Sequence, residues 1–154
     1  MEIIDRLRAR LSPWSPLPLR LIVGYGFMAH GEAKLARGPE HFAAILHAIG
    51  VPQPQLMSAL TIFVELAGGA MVILGLAVEI AAVPMAVVLA VAILTVHLPN
   101  GFSSIKLQSV DVAGAHFGQP GYETDLLYLA GLAALILTGP GPLAPRLRSR
   151  RPNA

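Results

Sequence analysis

Residues 56–78 and 80–98 form two long apolar stretches that are separated by Glu79 alone. Within the first stretch, Glu65 is the only charged residue. An α-helix rises about 1.5 Å per residue, so roughly 20 residues cross the ~30 Å hydrocarbon core of a bilayer. Each stretch is therefore long enough to span a membrane, and the short link predicts a tight helical hairpin.

Two shorter apolar stretches extend the prediction to four spans. The first, Leu17–Gly31, is interrupted by Arg20. The last, Leu126–Thr138, is too short to span a bilayer unless its helix begins near Tyr122. The fold class is therefore predicted as an all-α, integral membrane four-helix bundle. Its spans cover approximately residues 17–35, 56–78, 80–98 and 122–138.

The composition argues against a soluble protein. Hydrophobic residues make up 55% of the 154 residues and charged residues only 13%, whereas soluble domains average about 45–50% and about 25%. The chain has no cysteine, which excludes disulfides, thiolate metal sites and thiol–disulfide exchange. We predict one transmembrane domain, residues 1–142, followed by a basic cytoplasmic tail, residues 143–154.

Arginine is concentrated at the two ends of the chain, and this predicts the orientation. Residues 1–20 and 140–154 hold eight of the eleven lysines and arginines. Cytoplasmic segments of membrane proteins carry the excess of positive charge, so both termini are expected in the cytoplasm. We expect a multi-pass protein of the bacterial plasma (inner) membrane. No aromatic residues alternate with the arginines, which indicates contact with lipid and not with nucleic acid.

Two longer connections are predicted on the outer side of the membrane. Residues 38–55 repeat apolar side chains at helical spacing from Phe42 onwards, which is typical of a short amphipathic helix on the membrane surface. Residues 100–121 are mostly polar and contain glycine and serine, so we predict a loop there.

Glu65 and Arg20 interrupt apolar stretches, and an unpaired charge is costly inside a bilayer. Gly68 and Gly69 follow Glu65 by about one turn and let a second helix approach that face. Glu65 is either a proton-linked or ligand-binding carboxylate or one half of a structural ion pair. Arg20 has the charge to pair with it. The alternative, which we favour for Arg20, is that its side chain extends to the cytoplasmic head groups and needs no partner.

Four polar residues are expected in one layer at the outer ends of the spans: His30, Lys34, His97 and Glu123. Such a layer suits hydrogen bonding to the carbonyl of a quinone whose apolar part stays in the membrane. The alternative is that these side chains only terminate helices at the water boundary. Local histidine and glutamate spacing does not support a metal site. We predict a quinone-like ligand and neither a metal nor a covalently bound cofactor, and we assign no catalytic residue.

A set of short sequence patterns extends from residue 19 to residue 141. The patterns are Leu19-Arg20-Leu21, His30-Gly31 with Lys34-Leu35, Gly50-Val51-Pro52, Val64-Glu65-Leu66-Ala67-Gly68-Gly69, His97 with Gly101-Phe102, Gly121-Tyr122-Glu123 and Gly139-Pro140-Gly141. In this order they resemble the DoxX family of four-helix bacterial membrane proteins. The resemblance implies functional polar positions at Arg20, His30, Lys34, Glu65, His97 and Glu123. The chain departs from the family after Gly141, where a proline-containing segment and a basic tail replace the usual ending.

The resemblance implies a membrane subunit of a quinone-linked or oxidative-stress-related oxidoreductase system. The sequence contains no evident redox centre, so this role needs a quinone, an oxidoreductase partner or both. The alternative is a non-catalytic scaffold that tethers soluble partners through its outer loops or its tail. A third hypothesis is a small-solute permease, which would require a homo-oligomer.

Overall fold

The computed structural model describes residues 2–145, and most of them are helical, as predicted. The helices are α1 (Glu2–Leu11), α2 (Pro16–Arg37), α3 (Pro39–Ala48), α4 (Pro54–Leu74), α5 (Val78–Asn100) and α6 (Glu123–Thr138). Strands β1 (Leu107–Asp111) and β2 (Gly114–Phe117) lie between α5 and α6. Residues 146–154, most of the predicted tail, lie outside the described residues.

Proline and glycine set the limits of the helices. Pro16, Pro39 and Pro54 occupy the first turns of α2, α3 and α4, where a missing backbone N–H removes no helical hydrogen bond. Gly38 and Gly75 follow α2 and α4 with φ angles of 94° and 71°, a conformation that glycine adopts without steric cost. The ends of these helices are therefore encoded locally.

The link between α4 and α5 lies earlier in the chain than the sequence predicted. The predicted spans ended at Val78 and resumed at Ile80, whereas α4 ends at Leu74 and α5 already begins at Val78. Gly75 and Ala77 both adopt left-handed backbone conformations and turn the chain. Hydropathy missed this turn because its residues are as apolar as the helices on either side.

Helices α4 and α5 are, in the described part of the chain, the two that are long and apolar enough to cross a membrane. They have 21 and 23 residues. Helix α2 packs along α4 and α6, and α5 packs against α4 and α6. The shared core contains Val23, Phe27, Val72, Val78, Ala81, Ala82, Met85, Leu89, Leu132 and Leu135.

Large apolar side chains also cover the outside of this helix packing. Ile80, Val83 and Val87 of α5 are exposed, as are Leu127 and Leu137 of α6. A water-soluble protein rarely exposes so continuous an apolar surface. The outer surface therefore has the character of one that faces lipid.

The backbones of α2 and α4 approach each other closely at two glycines. A Cβ atom on Gly24 would lie 2.6 Å from the carbonyl oxygen of Gly69, and one on Gly69 would lie 2.6 Å from the carbonyl oxygen of Gly24. The two backbones therefore touch, which only glycine permits at both positions.

The two connections differ in how well the sequence predicted them. The amphipathic helix expected in residues 38–55 is present as α3, with Ala43 and Leu46 buried. The loop expected over residues 100–121 instead contains the antiparallel hairpin of β1 and β2, in which every strand residue is exposed. Neither strand has a buried face, so neither shows the apolar alternation that identifies strands in a sequence.

Candidate functional site

Arg20 joins three helices at one end of the packing. Its side chain is buried, with 2% exposed, and its donors reach the carbonyl oxygens of Val72 (3.1 Å), Ile73 (2.6 Å) and Pro140 (2.8 Å). The first two belong to the last turn of α4, where the Val72 carbonyl also accepts a hydrogen bond from the backbone N–H of Gly75, and Pro140 follows the end of α6 by two residues. The guanidinium therefore caps α4 and the segment after α6 and also neutralises their negative helix ends.

Both alternatives that the sequence left open for Arg20 are wrong. Its side chain neither reaches Glu65 nor extends outward, because it is buried among backbone carbonyls. These acceptors are 52, 53 and 120 residues away in sequence, and backbone acceptors leave no pattern in a sequence. The burial of Arg20 without a carboxylate partner could therefore not be predicted from the sequence.

Glu65 is paired with Lys34, near the opposite end of α2. The Lys34 ammonium lies 2.7 Å and 2.8 Å from the two carboxylate oxygens, and Glu65 is 4% exposed. Gly31 makes room for this approach, since a Cβ there would lie 3.1 Å from the Cβ of Glu65. The Phe42 ring lies 5.1 Å from the ammonium, within cation–π distance. The ion-pair alternative for Glu65 is therefore confirmed, with Lys34 as the partner.

His30 and Lys34 also line a pocket of about 250 Å³ between α2 and α3, which we call the α2–α3 pocket. Its described lining is His30, Ala33, Lys34, Arg37, His41, Phe42 and Ile45. Two imidazoles, an ammonium and a guanidinium supply hydrogen-bond donors. Phe42 and Ile45 supply an apolar surface beside them. The pocket therefore suits a ligand that combines acceptor oxygens with a flat apolar body.

His97 pairs with a carboxylate that the sequence did not single out. Its Nδ1 lies 2.5 Å from Oδ2 of Asp125, and Asp125 is buried in the first turn of α6. Glu123 has a different role, because its Oε2 accepts a hydrogen bond from the backbone N–H of Ser104 at 2.9 Å. Glu123 therefore fixes the loop that follows α5.

The four residues predicted as one polar layer are thus found in three local arrangements. His30 and Lys34 line the α2–α3 pocket, whereas His97 and Glu123 do not belong to its described lining. Within residues 2–145, no group of three or more histidine or acidic side chains could hold a metal ion.

The Lys34–Glu65 pair and the His97–Asp125 pair each include one residue that lies in a π turn of α4 or α5. Glu65 lies in the π turn Val64–Gly68 of α4, and His97 ends the π turn Ile93–His97 of α5. A π turn inserts one extra residue into an α-helix and changes the direction of the side chains beside it, and such turns are common at functional sites. Both polar side chains are therefore positioned by irregular helix geometry that hydropathy does not reveal.

Comparison with known proteins places this geometry in a family. Residues 15–98, more than half of the chain, match the family model described as DoxX. The chain belongs to the DoxX family. It is also 31% identical over 140 residues to the uncharacterized membrane protein Rv3486 of Mycobacterium tuberculosis, an alignment that covers 88% of this chain and 82% of that protein. No solved structure matches the chain.

The part of this DoxX protein that matches the family model extends from α2 to α5 and includes the whole α2–α3 pocket. It also contains Arg20, Lys34 and Glu65, whereas Glu123 and Asp125 lie beyond it. The sequence analysis missed three polar side chains: Arg37 and His41 of the α2–α3 pocket, and Asp125, the partner of His97. Arg37 and His41 flank the helix break at Gly38, which carries them to the pocket that Lys34 also lines.

Proposed function

We propose that this DoxX protein crosses the bacterial plasma membrane four times, through α2, α4, α5 and α6, with both termini in the cytoplasm. The apolar length of α4 and α5 and the packing of α2 and α6 against them support this arrangement. The bonds of Arg20 bring the start of α2 and the end of α6 to the same level. Helix α6 has only 16 residues, and local thinning of the bilayer accommodates a short span at modest cost.

The protein acts in this proposal as the membrane subunit of a quinone-linked or oxidative-stress-related oxidoreductase system. The observation that carries it is the α2–α3 pocket, which combines hydrogen-bond donors with an aromatic ring at one end of α2. A quinone has two carbonyl oxygens, which only accept hydrogen bonds, on a flat ring. Lys34 and Arg37 offer only donors, the His30 imidazole offers at least one, and Phe42 offers a stacking surface.

The electrons come from a partner oxidoreductase, because the sequence itself has no cysteine and no cofactor fingerprint. The residues of this chain bind and orient the ligand. The Lys34 ammonium donates to both carboxylate oxygens of Glu65 and lies 5.1 Å from the centre of the Phe42 ring, so it is positioned before any ligand arrives. A fixed donor loses little entropy on binding.

Quinone extraction tests this function. The full chain is purified in mild detergent, extracted with organic solvent and analysed by chromatography, and co-purified quinone is expected. His30→Ala and Arg37→Ala should each lower the bound quinone at least about fivefold, the effect of losing one hydrogen bond of roughly 1 kcal/mol.

His47→Ala is the matched control, because His47 is an exposed histidine on α3, one of the two helices that line the pocket, and is itself absent from the pocket lining. It should keep its quinone. The proposal fails if the unsubstituted protein binds neither endogenous nor added quinone, or if the control loses as much quinone as His30→Ala.

The exposed hairpin supports the second candidate function, a scaffold for soluble partners. Leu107, Val110 and Phe117 present apolar side chains to solvent on two strands with no buried face. Such a patch outside the membrane favours binding to another protein. Quinone-free protein that retains a soluble partner, and loses it in Val110→Ser/Phe117→Ser but not in Ile105→Ser, would favour this function over the first.

A further inference from the structure

Helix α1 has no buried face. None of its residues is buried against the rest of residues 2–145, although its sequence is strongly two-sided. Ile3, Ile4, Leu7 and Leu11 are between 53% and 76% exposed. At about 100° per residue, these four side chains lie within an arc of about 100° on one side of the helix. Exposed apolar side chains in such an arc form a stripe that residues 2–145 leave uncovered.

The charged side chains are ordered around that stripe. At the same angular spacing, Arg10 borders one edge of the stripe and Arg8 the other, while Glu2 and Asp5 lie on the opposite side. Arg6 is on the flank and pairs with Glu2 at 3.3 Å, both groups being exposed. Basic residues beside an apolar face and acidic residues away from it complement a surface that is apolar inside and anionic at its boundary.

The position of α1 indicates which surface this is. Only residues 12–15 separate α1 from α2. Near the start of α2, Arg20 bonds to Val72 and Ile73 in the last turn of the candidate membrane span α4. The C-terminal end of α1 therefore lies near the level at which the candidate membrane span α4 ends.

We propose that α1 lies in the plane of the membrane surface, with its apolar stripe in the acyl chain boundary and Arg8 and Arg10 on anionic lipid head groups. The α2–α3 pocket plays no part in this proposal, which does not depend on quinone binding. An anionic bilayer is the partner that satisfies the stripe and its flanking charges together.

The absence of native cysteine allows a direct test. Single cysteines are introduced as Leu7→Cys in the stripe and Asp5→Cys on the opposite side, labelled with a nitroxide, and studied in the full chain in nanodiscs containing about 30% anionic phosphatidylglycerol. We expect the label at residue 7 to collide with oxygen, which concentrates in lipid, and the label at residue 5 to collide with a water-soluble nickel chelate. Equal access of the nickel chelate to both labels would overturn the proposal.

The preference for anionic lipid is tested on the residue 7 label. Replacing phosphatidylglycerol by phosphatidylcholine, or introducing Arg8→Gln/Arg10→Gln, should raise access of the nickel chelate at least about twofold, because each arginine loses its attraction to the surface. Arg6→Gln, which removes an arginine already paired with Glu2, should change it less. Protection at residue 7 that is unchanged by both treatments would overturn the role of anionic lipid.

Discussion

Arg20 depends on the shape of its guanidinium as well as on its charge. Its nitrogens point in different directions in one plane, which lets a single side chain reach α4 and the segment after α6 together. Lysine has one ammonium and cannot reproduce this fork. The position is therefore expected to require arginine.

Replacing Arg20 should destabilise the whole helix packing. Arg20→Met removes three hydrogen bonds from a charged donor and leaves the carbonyls of Ile73 and Pro140 without this partner, whereas Val72 keeps its bond from the Gly75 N–H. We expect a loss of at least about 3 kcal/mol in unfolding free energy, since hydrogen bonds from charged groups contribute about 1.5–3 kcal/mol each. Arg20→Lys should recover less than half. Unfolding by a denaturing detergent measures both, with the exposed Arg6→Gln as control. Unchanged unfolding of Arg20→Met would contradict the capping role.

The Lys34–Glu65 pair should show strong non-additivity. Lys34→Met leaves the buried Glu65 carboxylate unpaired, and we expect a cost of about 3–5 kcal/mol. Glu65→Gln leaves the half-buried Lys34 ammonium without its charge partner and should cost less, because water still reaches it. The double variant Lys34→Met/Glu65→Gln should cost much less than their sum. The same detergent unfolding completes the double-mutant cycle. Additive costs would mean that the two side chains do not interact.

The hairpin offers a pH-dependent group outside the spans. A hydrogen bond with His116 and a second one from the Ala113 backbone hold the pKa of the Asp111 carboxyl below its ordinary value. A carboxyl with a lowered pKa stabilises the folded hairpin above its unfolded pKa of about 4, and this contribution is lost as the pH falls through the lower, folded pKa.

Amide exchange checks this pH dependence. Protection factors of the strand amides should be lower at about pH 2–3 than at about pH 5 in the unsubstituted protein. In Asp111→Asn the protection should change less across the same range. Equal pH dependence in both proteins would show that Asp111 does not stabilise the hairpin.

The site could be predicted from the sequence only in part. His30, Lys34 and Glu65 were found because charges and imidazoles are rare beside long apolar stretches. Their grouping was not found, because Lys34 and Glu65 meet through the missing side chain of Gly31 and a π turn in α4. Asp125 was missed because it lies just before the apolar stretch that starts at Leu126, and nothing in the sequence indicates that its carboxylate meets His97.

Among the secondary-structure elements, the length of the apolar stretches predicted the long helices but not the residues at which they end. The turn at Gly75 and the hairpin after α5 depend on backbone conformation and on strand pairing, neither of which alters hydropathy. The π turns belong to the same class. Each changes the direction of a side chain without changing the composition of the helix.

The π turn of α5 should be necessary for the His97–Asp125 pair. Deleting Leu94 removes the extra residue of the π turn, and the regular α-helical turn that replaces it changes the direction of His97, the residue that ends the π turn. Asp125 then loses its partner, and we expect a loss of at least about 2 kcal/mol. Leu94→Ala is the control, because the side chain of Leu94 is exposed. Equal detergent-unfolding midpoints for the deletion and the control would contradict this prediction.

For the whole molecule, the proposed topology places the hairpin and α1 on opposite sides of the membrane. Val112→Cys, at the fully exposed tip of the hairpin, should react with a membrane-impermeant maleimide in intact spheroplasts. Asp5→Cys should react only after the membrane is permeabilised. Reaction of both cysteines in intact spheroplasts would refute the three spans proposed between α1 and the hairpin.

The Lys34–Glu65 pair also has a consequence for biogenesis. The two residues are 31 positions apart, so at a synthesis rate of about 5–20 residues per second, Lys34 leaves the ribosome about 2–6 seconds before Glu65 does. The carbonyl acceptors of Arg20 arrive later still. The newly made α2 therefore carries Arg20 and Lys34 before either residue has its partner on α4. In the proposed topology, we expect the α2–α4 pair, and not the single helix α2, to be the unit of insertion into lipid.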